Sequence, residues 1–166
     1  CDLGLGDVAV VLGADVDDLS PLIVDDERVR TIWNARYASG RSSSVVISAL
    51  ALRAQDALMF CNVDQPVSTR LIEDLLGGAS VGSDSTIAVV MQRGRRGHPI
   101  LVRRPVFSEL VSIEEASRGL KGVLRKDPKR VLNVPTDSPN AHLGFNTPEE
   151  YEHAIKRLRS GELEVG

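Results

Sequence analysis

Asp64-Gln65-Pro66 comes directly after the apolar run Ala57 to Val63 (ALMFCNV). In open α/β sheets, ligands sit outside the C-terminal ends of the strands. An aspartate there, near a proline of fixed φ, can ligate a hard cation such as Mg²⁺, which takes carboxylate and phosphate oxygens. The bland alternative is that Asp64 starts a turn or caps a helix near Ser68. Asn34 follows a strand at Arg28 to Trp33, and Gly40-Arg41-Ser42-Ser43-Ser44 then opens onto a helix. Free N–H groups and hydroxyls at such a start can hold phosphate or a base edge, although serine is also a common N-cap. Arg93, Arg95 and Arg96 lead into Gly97-His98-Pro99, which reads as a basic loop with a sharp turn. Guanidinium forks there could clamp an anionic substrate; the alternatives are a solvated face and a structural histidine. Asn146 stands just before the final helix, as a ligand or as a cap. No Ser-His-Asp context, HExxH pair or GxxxxGK[ST] loop occurs, which demotes simple hydrolase and P-loop chemistry.

The elements that must position these residues alternate. Val8 to Leu12 (VAVVL), Ala57 to Val63 and Thr86 to Met91 are continuous apolar runs, the pattern of strands covered on both faces. Helices are expected at Ser42 to Arg53 and at Ser68 to Leu76, the second stopped by Gly77-Gly78. Short strands are expected at Ile100 to Val102 and Arg130 to Val134. The last helix carries the clearest signature: Thr147 as N-cap, Pro148 first, Glu150 three residues after the cap, and an apolar stripe of Tyr151, Ala154, Ile155 and Leu158. Alternating strands and helices imply a three-layer α/β/α domain with a mostly parallel sheet. On this reading Asp64 and Asn146 meet at the C-terminal edge of the sheet, near Ser44 and His98.

Composition narrows the function classes. The chain has 166 residues, 42% hydrophobic, 26% charged, with a net charge of −3, which suits one globular domain over residues 1–166. Aromatics at 4% and an acidic balance argue against a nucleic-acid partner. With no apolar run of about 18 residues or export leader, neither a membrane partner nor secretion is expected. Two distant cysteines, Cys1 and Cys61, fit a reduced cytoplasmic setting. The start at Cys1 is abrupt, and Leu5-Gly6 reads as the stop of a helix. The expectation is a domain lacking its first β-loop-α unit.

Together these stretches resemble the nucleotidyltransferases that mature the molybdenum cofactor, above all the cytidylyltransferase branch, with its Rossmann-like glycosyltransferase-A-like fold. VAVVLGAD (Val8 to Asp15) is similar to the family's second strand and glycine turn. NARYASGRSSSVVISAL (Asn34 to Leu50) is similar to its helix entry, and ALMFCNVDQP (Ala57 to Pro66) to its metal-binding aspartate with Gln-Pro. RGHPILVRR (Arg96 to Arg104) looks like the branch's Gly-His-Pro segment, and NTPEEYEHA (Asn146 to Ala154) like the wider C-terminal signature.

The resemblance implies Mg²⁺-dependent transfer of CMP from CTP to molybdopterin or its molybdenum form, with pyrophosphate released. Asp64 would be the catalytic metal ligand, with Asn146 as a second ligand. Gly40, Ser43, Ser44, Gln65 and Pro66 would contact the nucleotide, and Arg96, Gly97, His98 and Pro99 the acceptor. The alternatives are guanylyl transfer from GTP, transfer to a sugar-phosphate type of acceptor, and a non-catalytic domain that docks a molybdoenzyme. Three departures stand out. The family's opening loop LxAGxSxRMG, followed by lysine, has no counterpart here. Gly144-Phe145-Asn146 stands where the branch commonly has Asp-x-Asp, so an amide without charge replaces a carboxylate. Ser117-Arg118-Gly119 lacks the acid of a Gly-Asp-x-Gly segment.

Overall fold

The computed structural model describes residues 5–81 and 84–163, with the backbone alone at Ser117. The segment Cys1 to Gly4, part of the abrupt start, lies outside the described residues. The elements are β1 (Val8–Leu12), α1 (Val16–Leu19), β2 (Val29–Trp33), α2 (Arg41–Ala51), β3 (Ala57–Phe60), α3 (Thr69–Val81), β4 (Ile87–Gln92), β5 (Arg95–Arg103), α4 (Phe107–Leu110), α5 (Leu120–Lys126), β6 (Val131–Pro135) and α6 (Pro148–Arg159). Among the described residues they form two compact units, one over residues 5–58 and 103–128, the other within 59–102 and 129–163, so the chain passes between units within β3.

In the first unit, β1 and β2 pair in parallel, from Val8 opposite Val29 to Leu12 opposite Trp33. Helix α2 follows, and its Ala49 is fully buried together with Val106 and Leu110 from the later segment. Tyr37 fills the space beside Gly13, where a Cβ would stand 2.5 Å from the tyrosine Cβ. Arg104 pins the entry to β3, donating to Ala54 O at 2.6 Å and to Asp56 Oδ1 at 2.9 Å.

The second unit is built on a sheet of order β3-β5-β4-β6. β4 and β6 are parallel, from Ile87 opposite Val131 to Met91 opposite Pro135. β4 and β5 are antiparallel and joined by Arg93-Gly94, both at positive φ (49° and 77°), the backbone a two-residue primed hairpin turn requires. Leu71 and Leu75 of α3 pack with Ile87, Val89, Val90 and Val102, all at most 1% exposed. Each such side chain contributes roughly 1.5–3 kcal/mol by leaving water.

Three local expectations are corrected. Gly77-Gly78 do not stop α3, which runs on to Val81; a Cβ on Gly78 would stand 2.6 Å from Val134 Cγ1, so the glycine serves close helix-to-strand approach. The apolar run from Ala57 leaves the sheet after Phe60, and Cys61 to Pro66 form the turn beyond it. The stretch Arg95 to Arg103 is one strand, not a basic loop followed by a short strand.

Candidate active site

Asp64 is carried by the turn that follows β3. Gln65 N donates to Asn62 O at 3.2 Å, and Asn62 Nδ2 donates to Gln65 Oε1 at 2.9 Å. Both bonds close the turn locally and fix the Gln65 side chain. Asp64 does not cap α3: Ser68 Oγ accepts from Leu71 N at 3.3 Å, and Ser68 is buried. With the capping task taken by serine, the Asp64 carboxylate has no hydrogen bond or ion pair among the described residues.

Asn146 is released in the same way. Thr147 caps α6, accepting from Glu150 N, while Glu150 Oε2 accepts from Asn146 N at 2.7 Å and from Thr147 N at 3.2 Å. This capping box consumes the backbone N–H groups and leaves the Asn146 side-chain amide unbonded among the described residues. The loop 144–146 lies against the Asp64 turn. Phe145 N donates to Asp64 O at 2.8 Å, and a Cβ on Gly144 would stand 3.7 Å from Asn146 Nδ2 and 3.8 Å from Asp64 O.

Asp64, Gln65, Pro66, Asn146 and Thr147 line one cavity of about 570 Å³, whose remaining wall is mostly apolar and includes Phe145 and the α6 stripe. As a donor set for a cation, the chain offers one carboxylate and one amide oxygen. No cluster of three or more His, Cys, Asp or Glu side chains suited to a metal exists among the described residues. That set fits Mg²⁺ in the mode where one or two carboxylates share the ion with substrate phosphates and water. Asp64 and Asn146 would hold such an ion, and it would neutralise phosphate charge.

The other expected site residues are placed differently. Ser43 Oγ accepts from Asn34 Nδ2 at 2.8 Å and donates to the carbonyls of Gly40 and Arg36; Ser44 Oγ accepts from the same amide at 3.0 Å. Asn34 is 2% exposed, so a buried amide ties both hydroxyls down. Ser42 N, at the start of α2, donates to Glu115 Oε2 at 2.9 Å. This bond, helped by the Arg41 charge, holds the Glu115 carboxyl below its ordinary range. Gly40 has φ of 104°, and a Cβ there would come within 2.7 Å of the Glu115 carboxylate, so glycine is required twice over.

Gly97 and Pro99 are buried inside β5, and His98 is half-buried. A Cβ on Gly97 would run into the carbonyl oxygen of Ala141, which accounts for the glycine without any ligand. Arg96 stays exposed, its Nε donating to Asn133 Oδ1 at 2.7 Å. Sequence reasoning missed Asn62, Phe145 and Glu115. The signal for Asn62 is its place three residues before Gln65; Glu115 left no local signal, being 73 positions from Ser42.

The mixed α/β architecture is that of nucleotidyltransferases with the glycosyltransferase-A-like fold. The Rv0371c homologue of Mycobacterium sp. strain JC1 is 25% identical, with a TM-score of 0.67 over 93% of this chain and 76% of that one. Rv0371c of Mycobacterium tuberculosis, solved as a complex with manganese, is 19% identical, with a TM-score of 0.68 over 92% and 80%. Molybdopterin-guanine dinucleotide biosynthesis protein A of Archaeoglobus fulgidus is 16% identical, with a TM-score of 0.54 over 90% and 78%. No curated protein sequence matches. The profile of the MobA-like NTP transferase domain matches residues 1–131, and the chain belongs to that family. No helix among the described residues is long and apolar enough to cross a membrane.

Proposed function

We propose that this protein transfers a nucleoside monophosphate, CMP from CTP, to the terminal phosphate of a molybdopterin-type acceptor in a Mg²⁺-dependent reaction. An acceptor phosphate oxygen forms a bond to the α-phosphorus, the bond from that phosphorus to the bridging oxygen breaks, and pyrophosphate leaves. The acceptor phosphate is already a nucleophile, so no strong base is needed, and orientation with charge neutralisation supplies most of the rate. The observation that supports the reading is that the Asp64 carboxylate and the Asn146 side-chain amide, neither bonded among the described residues, line one cavity. In this reading Asp64 and Asn146 hold the cation, Gln65 and Pro66 face the nucleotide, and Arg96 offers a guanidinium to the acceptor phosphate. Guanylyl transfer is the second reading, favoured by the likeness to a molybdopterin-guanine dinucleotide biosynthesis protein.

Pyrophosphate release from CTP or GTP with molybdopterin and Mg²⁺ tests the proposal. Release with CTP that is lost in Asp64→Ala is the expected result. Release with GTP alone moves the choice of base, and release with neither sinks the transferase reading.

A further inference from the structure

The hairpin that joins β4 and β5 carries a residue that its turn does not favour. A two-residue turn of this kind needs positive φ at both positions and takes asparagine or glycine at the first. Here the first is Arg93, at φ of 49°. Asparagine tolerates that conformation through its short polar side chain, and arginine does not. The Arg93 guanidinium has no hydrogen bond or ion pair among the described residues that would offset the cost. Backbone strain that nothing inside a chain explains points to a task outside it.

The neighbouring residues add to the charge. Arg95 is exposed, and its guanidinium is also without a partner among the described residues. Arg96 uses Nε on Asn133 Oδ1, which leaves its two terminal nitrogens. No Asp or Glu occurs between Asp84 and Glu109, so the hairpin bears positive charge alone on a chain whose net charge is −3. The base of the hairpin is held firmly. Gln92 Nε2 donates to the carbonyls of Asp137 and Ser138 at 3.1 and 2.8 Å, and His142 Nε2 donates to Arg95 O at 3.1 Å. A Cβ on Gly94 would meet nothing within 4 Å, so the tip stands in open space.

These features select the kind of partner. A nucleic acid asks for a broad basic footprint with aromatic side chains for stacking, and the hairpin is narrow and has no aromatic residue. An anionic membrane asks for a larger basic cluster, about four to eight residues. Guanidinium forks match carboxylates in a bidentate way, and a rigid, protruding pair of them suits a local acidic patch on another protein. We propose that the β4–β5 hairpin is a docking point for a partner protein, with Arg93 and Arg95 gripping a short run of aspartates or glutamates on it. The inference goes beyond the transferase reading and does not depend on it.

The test is a titration of the full chain with a fluorescein-labelled octaglutamate peptide at low ionic strength, read by anisotropy, beside labelled oligo-dT and phosphatidylserine vesicles. Arg93→Asn and Arg95→Ser are each expected to weaken the peptide about threefold, the scale of one exposed charge pair, and together about tenfold. Arg93→Asn puts the favoured residue into the turn, so its Tm is expected to rise by about 2 °C while binding falls. That opposite movement separates lost docking from lost folding. Peptide affinity that is unchanged in the double variant overturns the inference. Tighter binding of oligo-dT or vesicles than of the peptide, lost in the double variant, overturns it in favour of a nucleic-acid or membrane surface. Pyrophosphate release is expected to be the same in Arg93→Asn as in the parent, and its loss would assign the arginine to the substrate instead.

Discussion

Two polar clusters were expected at strand ends, and they differ in what their side chains already do. In the cluster at Gly40 to Ser44, Asn34 occupies the hydroxyls of Ser43 and Ser44, and Glu115 occupies the Ser42 N–H in the first turn of α2. In the cluster at Asp64 and Asn146, Ser68 and the Thr147-Glu150 box take over the capping tasks, and the carboxylate and amide are left over. Position at a strand end marks where polar groups collect. Whether they are available is decided by the residues next to them.

The largest effect expected from this difference is on catalysis. Asp64→Ala should lower pyrophosphate release by about 10²–10³-fold, the scale of losing one preorganised charge-stabilising group, with little change in Tm, because the carboxylate makes no bond among the described residues. Asn34→Ala should do the reverse. It removes a buried amide that donates to both Ser43 and Ser44 and accepts from Arg36 N at 3.0 Å. A stability loss of about 1–3 kcal/mol, from unsatisfied buried partners, should appear in urea unfolding. Thr147→Ala should cost about 1 kcal/mol, the usual value of an N-cap, and thermal melts of the variant would check it.

The smallest effect is on pH dependence. Glu115 has its pKa lowered in the folded chain, chiefly by the Ser42 backbone N–H. Its contribution to stability is therefore complete above the ordinary carboxyl value of 4.5 and is lost as pH falls through the lower folded value. Glu115→Gln should lower stability at neutral pH, where the contribution of the parent carboxylate is complete, and converge with the parent below the lowered folded value, so that the acid side of its stability curve is flatter. An identical acid limb in parent and variant would show that Glu115 does not stabilise the start of α2.

Much of this layout was legible in the sequence, because it depends on short-range signals. β1 has the bounds that its apolar run implies, and α6 has its cap, its first proline and its Glu150 as Thr147-Pro148 implies. Asp64 was marked by strand-end position alone. The misread parts depend on distant partners. Gly77-Gly78 resembles a helix stop until Val134 is seen to need the space. Gly97-His98-Pro99 resembles a turn until Ala141 is found against Gly97. The α6 stripe reads as core because periodicity reports which face is apolar, and it does not report what covers that face.

The central claim is that Asp64 anchors the cation that accompanies the nucleotide. Electron paramagnetic resonance of Mn²⁺ in the presence of CTP measures this directly, since free and protein-bound ion give different signals. The account predicts that the parent chain removes free Mn²⁺ signal beyond what CTP alone removes, that Asp64→Ala does not, and that Asn146→Asp removes more. Equal uptake by the parent and Asp64→Ala would contradict it.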